Sequence, residues 1–171
     1  MLPDRTSFEH GVQLSISLGV GISTAFVAPT ALATPAAVFE PILNEISEVA
    51  PANLPVRLPT TVPAAVELHP SIIQDPLIYD IFMLRLDTKP SCDASDCLGM
   101  GIAITDIPSN WAMLNEGLTE VDLGNEIQGY LSESEAFGSV QWVQDDSLYA
   151  LSYRKDIFTS EGAIAMATSM V

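Results

Sequence analysis

Positive charge is scarce in this chain. Six Lys and Arg stand against 22 Asp and Glu, for a net charge of −16. Such a surface repels phosphate backbones and anionic lipid, which excludes nucleic-acid binding and adhesion to an acidic membrane. Histidine is almost missing, with His10 and His69 alone. His69 precedes Pro70 in a proline-rich stretch suited to a solvated residue, not to a catalytic base. The nucleophile elbow Gly-x-Ser-x-Gly, the zinc motif His-Glu-x-x-His, the redox motif Cys-x-x-Cys and glycine-rich phosphate loops are all absent. Asn-x-Ser/Thr does not occur, so N-glycosylation is not expected. No cofactor is expected.

The beginning of the chain is the most informative stretch. Gly11 to Ala28 holds no charge, and Ala31-Leu32-Ala33 follows it. A short apolar run ending in Ala-x-Ala is built like a secretory signal peptide, so residues 1–33 are expected to be a signal cleaved after Ala33. The n-region departs from the usual pattern, because Asp4 and Glu9 offset Arg5. A retained anchor fits less well, because a span wants about 20 apolar residues and this run carries Gly11, Gly19 and Gly21 with Pro29 behind it. One exported domain over 34–171 is expected, periplasmic or extracellular, without stable membrane insertion after cleavage. One Arg and two acids lie in the first 33 residues, which leaves five cations against 20 acids. That balance suits solubility first, and a basic partner or a cation second.

Cysteine occurs twice, at Cys92 and Cys97. A close pair in an exported chain is expected to form a disulfide, and closing so small a loop contributes roughly 2 kcal/mol in the chain-entropy model.

The remaining pattern divides into elements. Val38, Ile42, Ile46 and Val49, widened by Phe39 and Leu43, recur at helical spacing over 38–49. Residues 51–76 carry six prolines, and alternation at Leu54, Val56 and Leu58, then Ala64, Val66 and Leu68, predicts two short edge strands. Leu77–Asp87 is apolar on both faces and reads as a central strand. Leu98–Ile107 pairs with it around the cysteine loop. Over 109–116 either a helical turn or two with Gly117 as C-cap or a short strand through Trp111 and Met113 is expected, then strands over 118–127 and 129–131. Ser139–Gln144 and Leu148–Tyr153 form a hairpin around Asp145-Asp146-Ser147, and a helix capped by Thr159 or Ser160 ends the chain. The expected fold class is α+β: a mainly antiparallel, twisted sheet of six to seven strands, with an N-terminal and a C-terminal helix covering one face.

Several signatures fall in a recognisable order. They are Pro55-Val56-Arg57-Leu58-Pro59 with Pro63, Cys92-x4-Cys97-Leu98-Gly99, Val121-Asp122-Leu123, Gly129-Tyr130, Trp142 through Tyr149, and Met166-Ala167-Thr168-Ser169. In this order they resemble a group of uncharacterised exported proteins of cyanobacteria, over about residues 45–171. The resemblance implies a small secreted domain with a sheet and a terminal helix, and no reaction, ligand or active residue.

Candidate chemistry is thin. Asp93 and Asp96 inside the cysteine loop are calcium candidates, although the glycine and terminal glutamate of an EF-hand loop are missing. Trp111, Trp142 and Tyr149, with Tyr153 nearby, either line a ligand-binding face or belong to the core. The expected function is an exported, non-catalytic domain that binds a protein partner or an envelope ligand, or has a structural role. The alternative is an envelope polysaccharide hydrolase using two carboxylates facing across a cleft.

Overall fold

Seven strands of alternating polarity join into one antiparallel sheet in the computed structural model, which describes residues 33–73, 81–92 and 94–171. The expected signal segment up to residue 32, the start of the strand expected from Leu77, and Asp93 lie outside the described residues. Ala33–Val171 forms a compact unit.

The strands are β1 His69–Ile73, β2 Ile81–Asp87, β3 Leu98–Asp106, β4 Thr119–Asp122, β5 Gln128–Glu133, β6 Phe137–Gln144 and β7 Ser147–Arg154, in the spatial order β1-β2-β3-β7-β6-β5-β4. Two neighbour-to-neighbour runs, β1–β3 and β4–β7, are sewn together where β7 pairs with β3. The register there sets Gly101 opposite Ser152, Ile102 opposite Leu151, and Ala103 opposite Ala150. Side chains alternate between faces along a strand. One face therefore carries Phe82, Leu84, Leu86, Met100, Ile102, Ile104, Val140, Trp142, Tyr149, Leu151 and Tyr153, none more than 3% exposed. Each such side chain contributes about 1.5–3 kcal/mol by leaving water.

Short helices flank the strands and interrupt them. A 3-10 turn over Ala37–Ile42 leads into α1 (Leu43–Val49). It buries Phe39 and Ile42, three residues apart, because side chains at that spacing eclipse in a 3-10 helix. Ile46 follows one α-turn later, while Val38 and Val49 of the expected stripe are only partly buried. A short helix, α2 (Trp111–Leu114), occupies the expected turn, and Gly117 takes a φ of +81°. At the chain end α3 spans Ser160–Thr168, and the Thr159 side chain accepts from the Gly162 N–H at 3.1 Å. It touches β6 and β7.

Three expectations need correction. Within the proline belt expected over 51–76, the two edge strands expected at Leu54–Leu58 and Ala64–Leu68 do not form. Proline lacks a donor but keeps its carbonyl, and those acceptors are used across the fold instead. Pro59 O takes the Ala36 N–H at 2.8 Å and Pro55 O takes the Tyr149 hydroxyl, while Leu54 and Leu68 enter the core. Pro70 does lie in a strand, but β1 is an edge strand, where a missing donor is tolerated. Secondly, β2 is not apolar-packed on both sides: Ile81, Met83 and Arg85 remain half-buried. Thirdly, the alternation over 118–127 runs through a turn. Gly124, Asn125 and Glu126 have φ of 82°, 50° and 63°, which separates β4 from β5. Hairpin β6–β7 turns on Asp145 and Asp146 alone, with φ of 50° and 58°, and Ser147 already belongs to β7. Positive φ at both central residues is the geometry of a tight two-residue hairpin turn.

Candidate trough on the second sheet face

The second face is where the sheet departs from dense packing. Gly101 and Ala103 of β3 lie opposite Ser152 and Ala150 of β7, so four small residues form a low tile in mid-sheet. Met83 and Arg85 of β2 stand beside that tile, opposite Ala103 and Gly101, with Ile73 of β1 opposite Met83. Leu98 completes the lining of a depression of about 350 Å³. That volume reaches the lower range of small-molecule sites. Its outer side is open, where Ser152 is exposed and Ile73 is 37% exposed. Among the described residues the lining is mostly apolar and contains no carboxylate, in a chain with 22 acids.

Arg85 is the one charged group of the lining among the described residues, and it is held. Its Nε and Nη2 donate to Asp87 Oδ1 at 3.1 and 2.7 Å, and Nη2 also donates to Ala94 O at 3.2 Å. The Asp87 side chain is 5% exposed, so this pair is sheltered from solvent. Ala94 lies in the loop closed by the disulfide between Cys92 and Cys97, whose Cα atoms are 6.2 Å apart. The same loop is fixed twice more. Arg154 Nη1 donates to Asp96 O at 2.6 Å, and the Thr88 N–H and hydroxyl donate to Cys97 O at 2.8 and 3.2 Å. The disulfide thus closes the β2–β3 connection, and Leu98 of the trough follows Cys97 directly.

The three aromatic candidates do not form one ligand-facing surface. Trp142 and Tyr149 are fully buried on the other face, stacked with centroids 5.2 Å apart at 12°, and belong to the core. Burial pushes the Tyr149 phenol up to about 12. Trp111, on α2, meets Tyr130 of β5 edge-on at 5.8 Å. The only cluster of metal-type donors among the described residues is Cys92, Asp96 and Cys97, but its two sulfurs are bonded to each other. Asp96 stays exposed and Asp93 is outside the described residues.

Asp87, Asp145, Asp156 and Glu133 serve as ion-pair partners. Hydrogen bonds from Ser160 and Lys155 lower the Glu133 carboxyl, and Arg154 lowers Asp156. A glycosidic general acid needs the opposite shift. Sequence reading missed Gly101, Ala103, Ala150, Ser152, Met83 and Arg85 as a group. The available signal was the pair of small-x-small runs in two strands, which only the β3–β7 register brings side by side. No family model, curated protein or solved structure matches this chain.

Proposed function

We propose that the protein is an exported, non-catalytic binding domain that holds a small apolar ligand in the trough between β2, β3 and β7. One observation carries this reading: at two successive pairs in mid-strand, Gly101 with Ser152 and Ala103 with Ala150, β3 and β7 carry small side chains on one face, flanked by Met83, Ile73 and Leu98. Large residues at the alternate positions of the same strands show that the sequence is able to fill space there. In this reading the terminal helices both lie over the filled face and leave the trough to solvent. The disulfide supports an oxidising compartment. Among the described residues no helix is long and apolar enough to cross a membrane.

The test is titration with an uncharged apolar dye such as Nile red, on the native protein and on Ala150→Trp, which fills the tile. Saturable binding that weakens about tenfold or more in the variant supports the trough, since a blocked site loses at least one decade of affinity. Equal binding by both proteins, or none by the native one, overturns it. Export is tested by intact mass of the protein from its producing cell. Loss of the first 33 residues and the mass deficit of a bonded cysteine pair are expected.

A further inference from the structure

We infer that the Cys92–Cys97 disulfide sets the affinity of the trough, so that a dithiol reductant in the same compartment releases the ligand. This rests on the trough reading and adds its regulation. The loop and the site share parts. Arg85, a wall of the trough, holds Ala94 O inside the disulfide ring, and Leu98, another wall, is the residue after Cys97. With the bond closed, the ring presents its carbonyls to Arg85, Arg154 and Thr88 in one arrangement. With the bond open, the backbone between the two thiols regains conformations that the ring forbids, and the Ala94 carbonyl leaves its place. Arg85 then keeps Asp87 but loses one fixed partner, and the end of the trough nearest Leu98 loosens.

The chemistry is a two-electron exchange. Cys97 is 2% exposed and Cys92 is half-buried, so the incoming thiolate attacks Cys92 Sγ. The S–S bond breaks and a mixed disulfide forms at Cys92. Cys97 leaves as a thiolate and takes up a proton. Its sulfur lies 3.7 Å from Asp96 Oδ1, which accepts the new S–H. The second thiol of the reductant then attacks the mixed disulfide and frees Cys92. The reductant ends as its own disulfide, and the protein has gained two electrons and two protons.

The experiment compares Nile red affinity of the full protein oxidised, reduced by a dithiol, and as Cys92→Ser/Cys97→Ser, with circular dichroism showing that each form is folded. Reduction and the double variant are both expected to weaken binding about tenfold, within the usual range for coupled sites. Arg85→Gln with its disulfide intact is expected to reproduce most of that loss and to respond little to reduction. Affinity that changes less than about twofold on reduction, in a folded protein that binds when oxidised, overturns the inference and leaves the trough standing. Should Arg85→Gln fail to fold, the reduced and double-serine forms decide alone. Absence of binding by the oxidised native protein overturns the trough itself.

Discussion

Strands β3 and β7 present two opposite faces from one stretch of backbone, and the contrast is instructive. On one face Met100, Ile102, Ile104, Tyr149, Leu151 and Tyr153 fill every gap. On the other, Gly101, Ala103, Ala150 and Ser152 leave a depression. Backbone hydrogen bonding is common to both, so the difference is one of side-chain volume. Stability is concentrated on the first face, and the second is free to serve another purpose.

Substitutions at neighbouring positions break this contrast most directly. Leu151→Ala removes a fully buried side chain and is expected to cost about 3 kcal/mol in urea denaturation. Its neighbour Ser152→Ala, facing the trough, is expected to change stability by less than about 0.5 kcal/mol. Similar costs at the two sites would contradict the division.

The glycines sharpen it next. A Cβ on Gly138 would lie 2.3 Å from the Tyr153 phenol, in the packed face, so Gly138→Ala is expected to cost about 1–3 kcal/mol. Gly101→Ala meets nothing nearer than Leu84 O at 3.8 Å and is expected to be neutral or slightly stabilising, with thermal midpoints as the readout.

The smallest effect is alkaline. Tyr149 is raised from 10.0 to about 12 by burial, and its hydroxyl donates to Pro55 O. The folded state holds that proton more tightly than the unfolded chain. Its contribution is complete below pH 10 and is lost as pH rises through 12. Tyr149→Phe is expected to cost about 1 kcal/mol at neutral pH and to flatten the alkaline decline. An unchanged pH profile in the variant would place the titration elsewhere.

Local signals made much of the fold legible. The β6–β7 hairpin follows from alternation around Asp145-Asp146, and α3 from Thr159 with Glu161 behind it. Where alternation misled, another constraint had precedence. Leu54, Val56 and Leu58 copy a strand period, yet Pro55 and Pro59 remove its donors, and the segment pairs through carbonyls instead. Trp142 and Tyr149 alternate as ligand-facing aromatics would, but period two does not say which face is buried. The trough was legible only as two separate small-x-small runs. It exists only because register brings β3 beside β7, and no local pattern encodes that pairing.

The outermost strands carry one more consequence. β1 includes Pro70, and β4 is four residues long with Glu120 and Asp122 in it. An open sheet normally offers its rims as templates for another chain. Here one rim strand contains a proline and the other is short and anionic, two features that disfavour pairing edge to edge. An open sheet of this kind thereby keeps a shallow apolar hollow while offering poor templates for strand addition at its margins.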